Sequence, residues 1–253
     1  MGVRMKIAEL TKILRENGIV GAGGAGFPTY GKLNEKADTI IMNCAECEPL
    51  LKLHRQLLAA HAREILEAFE IVREAVGAQE AIVGVKEDYK STVAAVQEFI
   101  GEFPAMRLHR LPNVYPMGDE VLLIYEATGR VVRPGGLPIE CGVAVFNVET
   151  LYNVYRAVKQ DHPVTDKLIT VAGEVEHPVT VRVPIGMKIS DVVAFAGKVT
   201  TPDPVYLLGG PMMGRFGSDT EPVTKTSSAV IVLPADHFLY YKKTARFKNS
   251  VVR

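Results

Sequence analysis

Two short stretches of this sequence combine residue types that suit the binding of a charged cofactor. The first, Gly21 to Gly26, holds four glycines in six residues, and Lys32 follows it closely. Glycines let the backbone approach a ligand and turn its N–H groups toward it, and such N–H groups suit a phosphate or another anion. Because Lys32 adds a fixed positive charge, we interpret the stretch as a ligand-binding loop rather than a flexible connection.

The second stretch, Asn43 to Pro49, reads Asn-Cys-Ala-Glu-Cys-Glu-Pro and follows a short apolar run that is predicted to be a strand. It offers one amide and the two carboxylates of Glu46 and Glu48. Carboxylates do not suit a phosphate, but they accept hydrogen bonds from ribose or ribityl hydroxyls and from a nicotinamide amide. The two stretches together therefore predict a site for a nucleotide or a flavin.

The glycine loop also matches the dinucleotide pattern G-x-G-x-x-G at Gly21, Gly23 and Gly26. That pattern is informative only when a strand precedes it and a helix follows it. Here the preceding residues are predicted to form a helix, and Pro28 interrupts the residues that follow. We therefore exclude an ordinary Rossmann dinucleotide site at this loop.

Composition and charge narrow the class of protein. The 29 basic and 29 acidic residues balance, which argues against nucleic-acid binding through a basic surface. No apolar run approaches the roughly 20 residues needed to span a bilayer, and Met1–Lys6 lacks the apolar core of a signal peptide. The three cysteines, an odd number, argue against a disulfide framework. We expect a cytoplasmic protein without a transmembrane segment.

Strands and helices alternate over residues 1–160, which predicts an α/β domain with a largely parallel sheet. Ligands of such sheets bind beyond the carboxyl ends of the strands, where Asn43, Tyr115 and Asn147 fall. The predicted strands are Asp38–Asn43, Glu80–Lys86, Met106–Leu111 and Gly142–Asn147. The predicted helices are 5–17, Leu53–Val76, Tyr89–Ile100, Gly118–Thr128 and Glu149–Lys159.

The pattern changes at Asp161-His162-Pro163, so residues 161–253 are predicted to form a second, smaller domain with a C-terminal extension. Leu168–Val175 and Val179–Pro184 alternate apolar and polar residues on either side of a short turn, which indicates a β-hairpin. Two further elements are predicted, the helix Ile189–Phe195 and the strand Pro204–Leu208. This order of elements suggests a β-grasp fold.

Two more motifs lie where strands are predicted to end. Tyr115-Pro116-Met117-Gly118-Asp119-Glu120 precedes a helix, and acidic residues at a helix start are ordinary complements of its dipole. Phe146-Asn147-Val148-Glu149-Thr150 precedes another helix, where an asparagine commonly serves as the N-cap. Either structural role is compatible with a ligand role at the same residue.

All these motifs resemble the flavin-binding motifs of the FMN subunit of complex I and, more closely, those of the C subunit of the Rnf electron-transport complex. The run Glu46–Lys52 is similar in detail to the cobalamin reductases of propanediol-utilisation microcompartments. The hairpin region and Gly209–Gly214 are similar to the soluble-ligand-binding β-grasp (SLBB) domain that follows the flavin domain in the Rnf-C family. The resemblance covers nearly the whole chain.

The resemblance implies a Rossmann-like parallel-sheet FMN domain followed by a small SLBB-type β-grasp domain. It assigns the substrate NADH to Phe27, Glu48 and Arg133. Ala45 stands where complex I has an aspartate, and the second aromatic residue for the nicotinamide nucleotide is absent, so the resemblance implies FMN binding more firmly than NADH binding. The residues that it assigns to FMN are Gly21, Gly23, Gly24, Gly26, Lys32, Asn43, Glu46, Tyr115, Gly118, Asp119, Glu120 and Asn147.

The cysteines leave several interpretations open. Cys44 and Cys47 form a C-x-x-C pair, which is typical of a redox pair or of half a zinc site, and Cys141 is one further cysteine. Because an all-cysteine iron–sulfur cluster needs four thiolates, we interpret them as small buried residues of the flavin loop and assign no metal. The Rnf-C family continues into a two-cluster ferredoxin segment where this chain stops, so we expect 4Fe–4S clusters only in a missing C-terminal segment or on a partner.

The resemblance thus predicts an FMN-dependent oxidoreductase that carries electrons from NADH toward an iron–sulfur partner and a final acceptor such as cobalamin. The alternative is a flavin-free docking or ligand-binding module of an electron-transfer complex. A cobalamin-handling enzyme or a microcompartment shell is a further candidate partner, no nucleic acid is expected, and a homo-oligomer stays open. Location inside a bacterial microcompartment of the cytoplasm follows from the same resemblance.

Overall fold

The computed structural model describes residues 5–245, so that residues 1–4 and 246–253 of the predicted domains lie outside the described chain. The described residues divide into two compact units. The first takes the chain up to Cys47 and from His54 to Val164, and the second takes Glu48–Leu53 and the chain from Thr165 onward. The domain boundary predicted after residue 160 lies near the second of these divisions. No sequence pattern predicted that Glu48–Leu53 belongs to the second unit.

A four-stranded parallel sheet in the order β3-β2-β1-β4 forms the centre of the first unit. β1 lies between its two neighbours, with Ile41 opposite Ile82 of β2 and opposite Val145 of β4. Parallel pairing follows from the alternation of strands and helices, because a helix between two strands returns the chain to the end of the sheet at which the previous strand began. The strands are β1 Thr39–Cys44, β2 Glu80–Lys86, β3 Met106–Leu111 and β4 Val143–Asn147.

Within the described residues, six α-helices accompany this sheet: α1 Ile7–Glu16, α2 Leu53–Ala60, α3 Ala62–Val76, α4 Lys90–Phe99, α5 Glu120–Thr128 and α6 Val148–Gln160. The single helix predicted over Leu53–Val76 is two helices, because His61 leaves the helical conformation with φ −131° and ψ 36°. The ring of His61 lies against Tyr152 of α6, with 4.6 Å between ring centroids. Among residues 5–245, no helix is both long and apolar enough to cross a membrane.

The core of the first unit holds the carboxyl ends of the strands in place. Ile41, Ile82 and Val145 of the sheet pack with Leu123 and Ile124 of α5, and all five are buried. Each such side chain contributes about 1.5–3 kcal/mol of burial free energy. The strand ends, and the loops that follow them, are therefore anchored on a rigid support.

The second unit is a mixed sheet in the order β6-β5-β9-β7-β8. β5 and β6 form the predicted antiparallel hairpin, and β5 also pairs in parallel with β9. This β-grasp arrangement, together with the parallel sheet of the first unit, confirms the predicted fold class. The elements are β5 Asp166–Gly173, β6 Val179–Pro184, α7 Ile189–Ala194, β7 Pro204–Leu208, β8 Arg215–Gly217, β9 Ala229–Pro234 and α8 Phe238–Thr244.

The sequence patterns did not predict the central strand β9, the strand β8 or the helix α8. The apolar run Ala229–Leu233 lacks the alternation that marks a half-buried strand, and short apolar runs do not distinguish a strand from a buried helix. In the structure β9 is flanked by β5 and β7, and Val230 and Val232 are buried. The segment Glu48–Leu53 joins this unit through Leu51, which packs with Leu207, Ala229 and Ile231.

Candidate cofactor-binding site

A cavity of about 520 Å³ opens in the first unit at the carboxyl ends of β1 and β4. Its volume lies within the range of about 300–1,000 Å³ that is usual for small-molecule sites. The wall contains nine of the site residues expected from the sequence: Gly21, Gly23, Gly24, Gly26, Phe27, Lys32, Asn43, Glu120 and Asn147. Six others are not in the wall: Glu46, Glu48, Tyr115, Gly118, Asp119 and Arg133.

The glycine loop is closed at its base and open at its tip. The Gly21 N–H donates to the Phe27 carbonyl over 2.8 Å, and the Ala22 N–H donates to Thr150 Oγ1 over 3.0 Å. Within the described part of the chain, the N–H groups of Gly23 and Gly24 donate no hydrogen bond of normal geometry. Gly23 and Gly24 both line the cavity, so their N–H groups are the candidate donors to an anion.

One position of this loop requires glycine because of a close approach. A Cβ atom at Gly23 would lie 2.5 Å from Nδ2 of Asn147 and 3.5 Å from Cε1 of His54. A side chain at this position would push the loop away from Asn147. The glycine thus lets the backbone lie directly against the first residue before α6.

Lys32 brings a cation into the wall from the short 3₁₀ turn Thr29–Lys32. Its Nζ donates to the Val145 carbonyl over 2.9 Å and lies 3.6 Å from Oε1 of Glu120. The side chain of Lys32 keeps 34% of its surface exposed. This geometry gives the cavity one fixed positive charge next to one carboxylate.

Asn43 and Gly118 join the loops that follow β1 and β3. Asn43 Nδ2 donates to the Gly118 carbonyl over 3.0 Å, and Asn43 Oδ1 accepts from the Ala45 N–H over 2.9 Å. The Gly118 N–H in turn donates to Sγ of Cys47 over 3.0 Å. A Cβ atom at Gly118 would collide with the Ala45 carbonyl, so a larger residue here would separate the two loops.

Asn147 has the N-cap role that its position before α6 suggested. Its Oδ1 accepts from the Glu149 N–H over 2.9 Å and from the Thr150 N–H over 3.4 Å. Its Nδ2 faces Nε2 of His54 at 3.3 Å. The amide therefore caps the helix and contributes to the cavity wall at the same time.

The motif Tyr115–Glu120 contributes to the wall only through its last residue. Asp119 is the N-cap of α5, where Oδ1 accepts from the N–H groups of Val121 and Leu122. Tyr115 is 64% exposed. Glu120 lines the cavity beside Lys32. The helix-start role considered for Asp119 is thus present, and one oxygen of its carboxylate accepts both backbone donors.

Glu46 also points elsewhere than the cavity. Its Oε2 lies 3.1 Å from Nδ1 of His54, and the two side chains keep only 12% and 13% of their surface exposed. Its carbonyl accepts from Nζ of the buried Lys86 over 2.9 Å and from Tyr89 over 3.3 Å. Glu46 is therefore a nearly buried residue of the loop, and both its side chain and its backbone are held by hydrogen-bonding partners.

The three residues expected to contact NADH have different environments in the structure. Phe27 lines the cavity and is 54% exposed. Arg133 is exposed and outside the wall, whereas Leu137, Pro138 and Ile139, which follow it, line the cavity. Glu48 belongs to the second unit, where its Oε2 and Oε1 accept from the N–H groups of Met212 and Met213 over 2.9 and 2.6 Å.

The cysteines are free thiols in different environments. Cys44 is buried at the end of β1, and burial raises the pKa of its thiol, with a further rise from the charge of Glu46. Cys47 and Cys141 are half-buried, and Cys47 accepts the Gly118 N–H described above. Among residues 5–245, no group of three or more histidine, cysteine or acidic side chains is placed to share a metal ion.

Some residues of the site were not selected from the sequence. Thr150 bonds the glycine loop and lines the cavity, and His54 contacts Asn147 and Glu46. Thr150 belongs to the motif Phe146–Thr150, and its position three residues after the N-cap is a signal that indicates contact with a preceding loop. Nothing in the spacing of His54 relative to the motifs indicated that it lies behind the cavity.

Comparison with protein families supports the two-part architecture. Residues 14–156 match the model of the Nuo51 FMN-binding domain, and residues 168–216 match that of the SLBB domain. The first match spans more than half of the chain and contains the whole cavity wall.

Several curated proteins are similar in sequence. "Cobalamin reductase PduS" of Citrobacter freundii is 46% identical over 232 residues, which cover 91% of this chain and 51% of that protein. The C subunit of the ion-translocating oxidoreductase complex of Pseudomonas aeruginosa is 37% identical over 228 residues, covering 88% and 29%. The C subunit of the Na(+)-translocating ferredoxin:NAD(+) oxidoreductase complex of Acetobacterium woodii is 32% identical over 231 residues, covering 88% and 52%.

This chain therefore spans about half the length of the cobalamin reductase that it matches. Among solved structures, the NAD+-reducing [NiFe]-hydrogenase in the air-oxidized state superimposes with a TM-score of 0.77 at 24% identity. The superposition covers 92% of this chain and 47% of the hydrogenase chain. At this identity the likeness concerns the fold alone.

Proposed function

Since the chain belongs to the family of the Nuo51 FMN-binding domain, we propose that its first unit binds FMN in the cavity and that the protein is an electron-transferring oxidoreductase. We further propose that NADH is the electron donor, that an iron–sulfur protein is the partner and that cobalamin is the final acceptor. The names of the relatives, a cobalamin reductase and part of a ferredoxin:NAD+ oxidoreductase complex, support this choice. A microcompartment location belongs to the same proposal.

The single observation that carries the proposal is the match between the cavity wall and the chemistry of FMN. The open N–H groups of Gly23 and Gly24 and the cation of Lys32 suit a phosphate. Leu137, Ile139 and Val143 provide apolar surface that suits an aromatic ring system. Both kinds of surface lie in one cavity of suitable volume, so the residues present fit the cofactor.

When bound, FMN supplies the exchange between two-electron hydride chemistry and single-electron transfer. The residues of this chain contribute positioning and charge. Lys32 offsets phosphate charge, and Asn147 and Asn43 hold the loops around the cavity through their backbone contacts. Glu46 and Asp119 each accept hydrogen bonds from this chain's own groups. They therefore act as positioning residues rather than as general acids or bases.

The test is a calorimetric titration of the full chain with FMN, FAD and riboflavin. We expect FMN to bind with one site per chain, because the wall has one anion site and the sequence has no second nucleotide motif. Riboflavin, which lacks the phosphate, should bind at least tenfold more weakly, as expected for the loss of a charge-assisted contact. Equal or tighter binding of FAD contradicts the choice of FMN.

Absence of any flavin binding or flavin absorbance rejects the proposal as a whole. The flavin-free docking module would then be the better description of this chain.

A further inference from the structure

Three polar side chains form a connected network that starts in the cavity wall and continues behind it. Glu46 contacts Nδ1 of His54 at 3.1 Å, and Nε2 of His54 contacts Nδ2 of Asn147 at 3.3 Å. Glu46 and His54 are nearly buried, whereas Asn147 lines the cavity. The contacts thus run from the loop after β1, through α2, to the first residue before α6.

The donors and acceptors of these three side chains permit only one arrangement of hydrogen bonds. Oδ1 of Asn147 must accept the two N–H groups of α6, so its Nδ2 group, which can only donate, faces His54. Nε2 of His54 must then be the acceptor, which places the ring proton on Nδ1. That proton needs an acceptor, and Oε2 of Glu46 lies at hydrogen-bonding distance.

The orientation of Asn147 matters because the glycine loop lies directly on it. Gly23 approaches Nδ2 of Asn147 too closely for any side chain, and its neighbour Ala22 donates to Thr150 in the first turn of α6. A reversed Asn147 amide would present two N–H groups to the N–H groups of α6 and lose the cap. The position of the glycine loop therefore depends on whether Nε2 of His54 accepts the hydrogen bond from Asn147.

We propose that His54 is a positioning residue of the cofactor site. Glu46 fixes the tautomer of His54, His54 fixes the amide orientation of Asn147, and Asn147 in turn holds the glycine loop and the start of α6. Glu46 thereby acts on the site through His54 rather than by touching the cofactor. The inference rests on the proposed FMN function for its consequence, whereas the hydrogen-bond arrangement can be tested without flavin.

The first experiment measures the tautomer of His54 by ¹⁵N NMR on the full chain, without added flavin. We expect the proton on Nδ1, which is the less common tautomer of a neutral histidine side chain. In Glu46→Leu the acceptor is gone, and the Nδ1-protonated form should lose its dominance. A wild-type His54 protonated on Nε2 overturns the proposal, whatever the flavin affinity.

The second experiment measures the dissociation constant of FMN in variants at His54. His54→Leu should weaken binding about tenfold, because it leaves Nδ2 of Asn147 without its acceptor. His54→Gln keeps one donor and one acceptor on the side chain and should stay within about threefold of wild type. Full affinity in His54→Leu, or equal losses in the two variants, contradicts the proposal.

His61→Leu is the matched control. His61 is another histidine of the first unit whose Nδ1 contacts a glutamate, Glu64 at 3.3 Å, but its ring lies against Tyr152, which is not in the cavity wall, rather than against Asn147. Its removal should lower the melting temperature without changing the FMN affinity. A loss of affinity in His61→Leu similar to that in His54→Leu would show that the effect is a general loss of stability.

A double-mutant cycle with Asn147→Ala separates an indirect role from an independent one. If His54 acts through Asn147, His54→Leu should weaken FMN binding much less in the Asn147→Ala background than in wild type. Additive losses overturn the proposal. If wild-type protein binds no FMN, the proposed function fails and the FMN role of His54 fails with it, while the tautomer measurement still decides the hydrogen-bond arrangement separately.

Discussion

At the residue scale, Lys32 provides the most direct test of the phosphate site. Its ammonium group lies in the cavity wall and remains partly exposed. A charge-assisted phosphate contact contributes about 1.5–3 kcal/mol, so Lys32→Ala should weaken FMN binding by roughly ten- to a hundredfold. Lys36→Ala is the control, because Lys36 is an exposed lysine of the same region outside the wall. Equal effects of the two substitutions would reject a specific phosphate contact.

Also at the residue scale, we expect the three cysteines to differ in reactivity. Because burial raises the pKa of the Cys44 thiol, little of it is thiolate near neutral pH, and the buried sulfur is shielded from reagents. We expect iodoacetamide at pH 8 to modify Cys47 and Cys141 well before Cys44 in native protein. Peptide mass spectrometry measures the order. In concentrated urea all three should react, and native modification of Cys44 as fast as Cys47 would contradict the prediction.

At the element scale, Glu48 ties the segment Glu48–Leu53 to the loop between β7 and β8. Its carboxylate accepts the N–H groups of Met212 and Met213, and Gly210 leaves the space that the carboxylate occupies. Glu48→Gln should lower the unfolding free energy of this unit by about 1–2 kcal/mol, because hydrogen bonds to a neutral amide are weaker than hydrogen bonds to a charged carboxylate. Hydrogen exchange of the Met212 and Met213 amides reports the change locally.

Asp236→Asn is a suitable control for that measurement, because Asp236 is an exposed carboxylate of the same unit. The NADH role expected for Glu48 remains a prediction, and the same variant tests it. If Glu48 contacts NADH, Glu48→Gln should slow flavin reduction by NADH and leave FMN affinity and reduction by dithionite unchanged. Lower stability with an unchanged NADH rate would leave Glu48 with the structural role alone.

His109 on β3 should make the stability of the first unit depend on pH. Burial lowers its pKa, and the charge of Arg107 lowers it further against an opposing effect of Glu126. Because its folded pKa lies below the ordinary value of 6.5, the unfolded chain takes up the proton first as the pH falls. The stability that neutral His109 contributes is therefore present above about pH 6.5 and lost below it.

The corresponding measurement is the melting temperature between pH 7.5 and 5.5. Wild-type protein should melt at lower temperature as the pH falls, and His109→Gln should lose part of that dependence. His177→Gln serves as control, because 78% of the His177 side chain is exposed. An unchanged pH slope in His109→Gln would show that other groups cause the dependence.

At the scale of the whole molecule, the proposed activity needs an electron donor. The chain loaded with FMN should lose its flavin absorbance when mixed anaerobically with NADH in a stopped-flow instrument. Among the expected NADH residues only Phe27 lies in the cavity wall, so we expect weaker NADH binding than FMN binding. Bleaching by dithionite is the control. If neither NADH nor NADPH bleaches the flavin, the dehydrogenase part of the proposed function is wrong.

Much of the fold was determined by the sequence alone, because its signals are local. Strands β1 to β4 were predicted from short segments that alternate with predicted helices, the β5–β6 hairpin was predicted from alternation and a turn, and the glycine loop was predicted from its composition. The interruption of the helix at His61 was not predicted, because it depends on the dihedral angles of one residue. The apolar strand β9 was not predicted either, because its sequence has no periodic pattern. The family resemblance also needed only the motifs, which are contiguous stretches.

The directions of the acidic side chains were decided only by the tertiary structure. Glu46, Glu48 and Asp119 belong to motifs that predict a ligand site, yet His54, the loop after β7 and the start of α5 hold their carboxylates. The physical reason is competition: a carboxylate bonds whichever donors the fold brings nearest, here a histidine ring, a loop and the N–H groups of a helix start. Spacing along the chain places a residue near a strand end, but only packing across the chain decides what its side chain contacts.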